Sequence, residues 1–115
     1  MTVTILHNPR CSKSRQTLAL IQERGITPDV IEYLKTPPSA EAMDGILTKL
    51  GLEPREVMRK QEAPYKDLAL DNPALSRGEL VAAMVAHPIL IERPIVIAGG
   101  KARLGRPPEA VLEIL

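Results

Sequence analysis

The chain has 115 residues, of which 15 are lysine or arginine and 14 are aspartate or glutamate, so its formal net charge is +1. This length predicts one domain with a single core, residues 1–115, and the near-neutral charge, together with the absence of Phe and Trp, argues against a nucleic-acid partner. Because no apolar run approaches the roughly eighteen residues that a membrane span needs, the composition also predicts a protein that does not cross a membrane.

The first part of the chain has the pattern of a β-α-β unit. β-Branched and apolar residues at Thr2–His7 predict a strand, and this segment lacks the basic region and cleavage site of a signal peptide, so we expect a cytoplasmic protein. Apolar residues at helical spacing predict a helix over Ser12–Arg24 that ends at Gly25, and Asp29–Leu34 is typical of a second strand. A crossover of helical length implies that the two strands are parallel.

The middle of the chain is predicted to be helical or irregular. Ser39 can cap a helix over Ala40–Leu50, and a capping box that begins at Ser76 predicts a helix that reaches Ala86 and ends at a His-Pro pair. Shorter segments are a helix from Pro54 that carries Arg55 and Arg59, a turn of helix over Lys66–Leu70, and the apolar segment Ile89–Ile91.

The last part of the chain predicts a β-hairpin followed by a helix. Ile95–Ala98 and Lys101–Leu104 flank a Gly-Gly turn signal, and a Pro-Pro pair can open a terminal helix over Glu109–Leu115. The complete order is β-α-β, then helices, then β-β-α. It indicates a thioredoxin-like α/β fold, in which a four-stranded mixed sheet is flanked by helices and a helical insertion occupies the middle of the chain.

The single cysteine of the chain, Cys11, falls between the first strand and the first helix. Backbone N–H groups and the helix dipole stabilise an anion at a helix N-terminus, and Arg10, Lys13 and Arg15 add positive charge, so the thiol is predicted to ionise readily. His7 could donate a hydrogen bond to the sulfur or to a bound oxyanion. A buried apolar cysteine usually has apolar neighbours, which Cys11 lacks, so we interpret it as a nucleophile.

Four segments of the chain carry motifs in a fixed order: HNPRCSKSR (His7–Arg15), MRKQEAPYKDL (Met58–Leu68), HPILIERPIV (His87–Val96) and RLGRPPEAVLEIL (Arg103–Leu115). Together they resemble the glutaredoxin-coupled arsenate reductase family over essentially the whole chain, and four segments at matching spacing are a specific signal. In thioredoxin-like folds the proline before the third strand, here Pro94, lies next to the start of the first helix and is typically cis.

Carried over residue by residue, the resemblance implies a catalytic thiol with a cage of arginines. Cys11 is the implied nucleophile. Arsenate is a tetrahedral anion, which planar guanidinium groups bind in a bidentate manner. For the third arginine of the cage, Arg103 competes with Arg106. The residues that support the thiolate are His7, Ser14 and Arg15, the oxyanion-binding residues are Arg59, Arg93 and Arg106, and Pro94 is structural at the site.

The resemblance also implies how the reaction runs. Reduction of arsenate to arsenite takes two electrons, hence two thiols, and the chain has a single cysteine. The family's course is attack of the Cys11 thiolate on arsenate, capture of the adduct by glutathione, and resolution by glutaredoxin. We therefore expect an arsenate reductase of arsenic detoxification, with glutathione as co-substrate, glutaredoxin as partner, no bound cofactor or metal, and a monomeric chain.

Other functions use the same residues. A phosphatase of the C-x5-R type needs an arginine six residues after the cysteine, where this chain has Thr17, and a dithiol oxidoreductase needs a second cysteine at Ser14. Spx-type transcription regulators share the fold and contact RNA polymerase, but their redox switch is a C-x-x-C pair, which Ser14 also removes. The alternatives left open are such a regulatory function and a monothiol oxidoreductase of another substrate.

Overall fold

The computed structural model describes residues 2–115 and divides the chain into two compact units. The sheet unit consists of the residues up to Thr36 together with Arg93–Leu115, and the helical unit consists of Pro37–Glu92. Within residues 2–115, no helix combines the length and the apolar character that a membrane crossing requires. The single domain expected from the length stays a prediction.

The sheet unit is built on four strands in the order β2-β1-β3-β4. The central strand β1 (Val3–Leu6) is parallel to β2 (Asp29–Ile31) and antiparallel to β3 (Ile95–Ala98). Strand β3 in turn forms an antiparallel pair with β4 (Lys101–Leu104). The parallel crossover, the hairpin and the mixed sheet are as predicted, and the thioredoxin-like α/β class is confirmed.

One face of this sheet is covered by α1 (Ser12–Glu23) and by a 3₁₀ helix near the C-terminus (Pro108–Ile114). In the register of the strands, Ile5 is opposite Val30 of β2 and Val96 of β3. Alternate residues of a strand point to the same face, so β1 and β3 each send two branched or small side chains into one apolar cluster. Its buried members are Val3, Ile5, Ile21, Val96, Ala98, Val111 and Ile114.

The boundaries of four predicted elements differ from those observed. The second strand was expected to reach Leu34, but it ends at Ile31 because the N–H groups of Lys35 and Thr36 bond to the Glu32 carbonyl and close a turn. Helix α1 ends one residue before the predicted Arg24, since Gly25 adopts a left-handed φ of 74°. The first strand lacks both predicted end residues, and the predicted terminal helix is a 3₁₀ helix.

The helical unit contains α2 (Ala40–Leu50), α3 (Ala63–Asp67) and α4 (Arg77–Ala86), together with 3₁₀ helices at Pro54–Val57 and Pro88–Leu90. The two capping serines act as predicted. Each hydroxyl accepts a hydrogen bond of 3.1 Å from the third residue that follows it, which satisfies an N–H group that has no partner within the helix. The largest fully buried side chains of this unit are Met43, Leu47, Val57, Met84, Leu90 and Ile91.

Two predicted segments of the helical unit are wrong in extent. The helix that starts at Pro54 ends at Val57 and therefore does not carry Arg59. Instead, the Arg59 N–H donates to the Leu90 carbonyl at 2.7 Å, which ties this stretch to the end of the unit. Helix α3 begins at Ala63 rather than Lys66, because a proline in the first turn of a helix loses no hydrogen bond and already has a helical φ.

Candidate active site

The turn before α1 places Cys11 at the N-cap of that helix. Cys11 has extended backbone angles, φ −94° and ψ 123°, and its carbonyl accepts the first helical hydrogen bond from Arg15 at 3.0 Å. Asn8 shapes the turn, since its carbonyl accepts from the Cys11 N–H and its side-chain Oδ1 accepts from the Arg10 N–H, each at 3.0 Å. The position of the thiol at the start of the helix is as predicted.

The environment of the buried Cys11 thiol lowers its pKa below the ordinary value for cysteine. Burial alone raises the pKa, but several groups outweigh it: the backbone N–H of Ser14, the charge of Arg93, the backbone N–H of Lys13 and a hydrogen bond from the Arg93 side chain. Within the described residues, the positive charge that acts on the thiol is that of Arg93. The cations expected from the sequence, Arg10, Lys13 and Arg15, are closer to Cys11 in the chain.

His7 lies against Ser14 rather than against the sulfur. Its Nδ1 and the Ser14 Oγ share a hydrogen bond of 2.6 Å, and the same oxygen accepts from the Asn8 N–H at 3.0 Å. Both side chains are buried. Burial lowers the pKa of His7, the Glu32 carboxylate opposes this shift and the Arg15 charge adds to it, so the imidazole is neutral at pH 7. His7 therefore supports the first turn of α1, whose Ser14 N–H stabilises the thiolate.

Arg15 is exposed and holds the turn from outside. Its Nη1 donates to the Pro9 carbonyl at 2.9 Å. The structure thus connects Arg15 to the loop that precedes Cys11.

Arg93 and Pro94 immediately precede β3, and the peptide bond between them is cis, as expected for the fold. Arg106 Nη1 donates to the Arg93 carbonyl at 3.1 Å, so the structure brings these two arginines together. The competing Arg103 instead forms an ion pair of 3.1 Å with Glu113 on the C-terminal 3₁₀ helix. Of the two competing arginines, Arg106 is therefore the one that contacts Arg93. The bond between Arg106 and the proline after it is also cis, which the sequence did not indicate.

Arg59 belongs to the helical unit. It is partly buried there, and its Nη1 lies 3.2 Å from Glu62 Oε2. This ion pair was not predicted from the sequence. The oxyanion-binding role of Arg59 stays a prediction.

The sequence model of the ArsC family matches residues 6–114. The chain belongs to the ArsC family. An arsenate reductase of Haemophilus influenzae is 53% identical over 116 residues, which cover all of both chains. An arsenate reductase of Escherichia coli is 43% identical over 98% of this chain and 80% of its own length. A solved structure of the arsenate reductase from Vibrio cholerae is 57% identical and superposes with a TM-score of 0.97 over 100% of this chain and 98% of its own.

This ArsC family chain therefore combines an ionisable thiol with donors suited to an oxyanion. A thiolate at a helix N-terminus is a nucleophile, and the same backbone N–H groups favour any anion that approaches it. Arg93 adds a planar guanidinium group beside the sulfur, and the main chain of Arg93 is held by Arg106. Such a site can attack an electrophilic centre that carries anionic oxygens and can stabilise the charge that moves during the attack.

Proposed function

We propose that this protein reduces arsenate to arsenite, with Cys11 as the nucleophile and with electrons from glutathione and glutaredoxin. The observation that carries the proposal is the Cys11 thiol with its lowered pKa, at the start of α1 and in hydrogen-bond contact with Arg93. Relatives of nearly the same length that are named arsenate reductases support arsenate as the substrate.

In the first step the Cys11 thiolate attacks the arsenic atom. A sulfur–arsenic bond forms, one arsenate oxygen takes up two protons and leaves as water, and arsenic remains As(V). Glutathione then displaces a second oxygen as water, which gives an adduct with two sulfur–arsenic bonds. Arg93 and the N–H groups at the start of α1 would hold the remaining oxygens throughout these displacements.

The reduction itself needs a sulfur atom from outside the chain, because the chain has a single cysteine. A glutaredoxin thiolate attacks the glutathione sulfur and forms a mixed disulfide. The electron pair of the broken sulfur–arsenic bond passes to arsenic, which becomes As(III). Water then releases arsenite and restores the Cys11 thiol. The two electrons thus come from the two external sulfur atoms that end in the disulfide.

A coupled assay tests this function. NADPH oxidation is followed with arsenate, glutathione, glutaredoxin and glutathione reductase, and turnover is expected to require all of them. Cys11→Ser is expected to abolish turnover, because a hydroxyl is a far poorer nucleophile at neutral pH. Ser12→Ala, a change at the neighbouring exposed residue, serves as a control with a complete thiol site.

Two results would contradict the proposal in different ways. Catalytic arsenate reduction with thioredoxin alone would show that the external glutathione and glutaredoxin steps are wrong. A Cys11 thiol that alkylates rapidly at neutral pH but gives no arsenate-dependent turnover with glutathione and glutaredoxin would show that the thiol serves another substrate.

A further inference from the structure

Gly105, the residue after β4, lies at a very close approach between two parts of the sheet unit. A Cβ atom at this position would lie 2.5 Å from Thr17 Oγ1 and 2.6 Å from Pro94 Cγ, closer than real Cβ contacts. By contrast, a Cβ atom at Gly100, in the turn between β3 and β4, would meet nothing within 4 Å. A side chain is therefore excluded at position 105 by packing and is compatible with the surroundings of position 100.

The two neighbours of Gly105 cannot easily move away. Thr17 is fully buried on α1, and its Oγ1 donates to the Lys13 carbonyl at 2.8 Å, which fixes the hydroxyl against the first turn of the helix. Pro94 has a rigid ring, and its carbonyl accepts a hydrogen bond of 2.9 Å from the Gly105 N–H. Any added atom at position 105 must push the helix, the proline turn, or both.

These two parts of the structure carry the groups that act on the Cys11 sulfur. The N–H groups of Lys13 and Ser14 belong to the first turn of α1, and the guanidinium of Arg93 precedes Pro94. We propose that Gly105 is a positioning residue: the absence of a side chain there lets α1 and the Arg93–Pro94 turn approach closely enough for Arg93 to contact the Cys11 sulfur. The proposal rests on Cys11 being the reactive thiol of the proposed function.

The substitution Gly105→Ala tests this role through the pH dependence of alkylation of Cys11 by iodoacetamide. To lengthen the contact of 2.5 Å between the added Cβ atom and Thr17 Oγ1 to 3.0 Å, the two must separate by about 0.5 Å, and the contact of 2.6 Å with Pro94 must lengthen in the same way. Since hydrogen bonds and charge interactions weaken with distance, we expect the inflection to move toward the ordinary thiol value of about 8.5. The alkylation rate at neutral pH should fall about threefold or more, while the limiting rate at high pH is retained.

Gly100→Ala is the matched control, because it adds the same methyl group to the same hairpin in open space, and its alkylation profile is expected to equal that of the unchanged protein. Circular dichroism establishes which variants are folded. An unchanged inflection in folded Gly105→Ala would overturn the proposal, even if the variant were less stable, because the glycine would then serve packing alone. No arsenate is needed for this measurement, so its failure is separate from failure of the proposed function.

A second pair of variants tests the proposal if Gly105→Ala does not fold. Thr17→Ala removes the hydroxyl that lies nearest to the added methyl group, so the double variant Thr17→Ala with Gly105→Ala pushes mainly against Pro94. Relative to Thr17→Ala alone, the double variant is expected to show the same upward shift of the inflection. If no variant with alanine at position 105 folds, Gly105 is a requirement of folding and the proposal is wrong.

Discussion

Arg93 of the sheet unit and the arginines of the helical unit have different kinds of partner. In the sheet unit, Arg93 acts on the Cys11 sulfur, and Arg106 holds the Arg93 carbonyl. In the helical unit, Arg55 donates from Nε to the Leu70 carbonyl at 2.9 Å and from Nη2 to the Asn72 carbonyl at 2.7 Å. One guanidinium thus faces a reactive atom, while the other closes a loop.

The ion pairs of the helical unit show the same structural use of arginine. Arg77 on α4 contacts Asp44 of α2 at 2.6 Å and Glu53 at 3.5 Å, which connects two helices and the segment between them. The number of donors in a guanidinium group allows both uses, so the residue type does not separate them. What separates them is the partner. Arg93 contacts a nucleophilic sulfur, whereas Arg55 and Arg77 contact backbone carbonyls and carboxylates of their own unit.

Among the arginine variants, the largest effect is expected for Arg93→Lys. Lysine keeps the positive charge but loses the planar fork, and the adjacent Pro94 limits how far the backbone can shift to compensate. We expect kcat/KM for arsenate to fall about tenfold or more, equivalent to about 1.4 kcal/mol, with little change in the urea midpoint. The coupled NADPH assay and urea unfolding measure the two quantities.

Arg103→Lys is the control for Arg93→Lys, since Arg103 is in the same unit but is paired with Glu113. Its kcat/KM is expected to stay within about twofold of that of the unchanged protein, because an exposed ion pair of this kind contributes little to stability. An unchanged kcat/KM in Arg93→Lys would remove Arg93 from the site, and equal losses in the two variants would contradict the distinction between Arg93 and a paired arginine.

A smaller effect, on stability rather than on activity, is expected for Arg55→Met. The change removes both hydrogen bonds to the loop carbonyls and leaves the carbonyl of the buried Leu70 without its donor, at a cost of about 1–2 kcal/mol in the free energy of unfolding. kcat/KM for arsenate should stay within about twofold. Arg24→Met, at the exposed C-terminal end of α1, is the control for removal of a surface arginine and should change stability by less than about 0.5 kcal/mol.

Much of the fold could be predicted because its signals are local. The capping serines Ser39 and Ser76 and the Gly-Gly turn each act through residues within three positions, so the sequence suffices to place α2, α4 and the hairpin. The ends of the shorter elements depend on which of two competing sets of backbone hydrogen bonds forms. Strand β2 stops at Ile31 because a turn takes over at Glu32, and no residue in that stretch signals this choice.

The position of Cys11 was predictable from the sequence, whereas the contacts of the other candidate residues were not. Cys11 could be placed at the start of a helix because the strand, the turn and the helix follow one another directly. The partner of Arg103 is Glu113, which the fold brings to it from ten positions away, so no local pattern predicts this contact. In the same way, His7 was expected near the sulfur, but the hydroxyl of Ser14 lies closer to its ring.

The two units also differ in their histidines, and this difference predicts how the stability of the protein depends on pH. His7 of the sheet unit is buried, and its pKa is lowered chiefly by that burial, whereas His87 of the helical unit is exposed. The unfolded chain takes up a proton on His7 near pH 6.5, about the ordinary value, but the folded protein does so only at lower pH. The stabilising contribution of neutral His7 is therefore complete above about pH 6.5 and is lost as the pH falls through the lower pKa of the folded state.

His7→Gln should remove this pH dependence, because glutamine can still bond to Ser14 but does not titrate. Urea unfolding at about pH 7.5 and about pH 5.5 measures it, in a range that lies above the ordinary titration of most carboxylates. We expect the unchanged protein and the control His87→Gln to lose stability between the two pH values, and His7→Gln to lose clearly less. Equal losses in all three proteins would mean that the buried histidine does not set the acid sensitivity of the fold. A loss that disappears in His87→Gln instead would assign it to the helical unit.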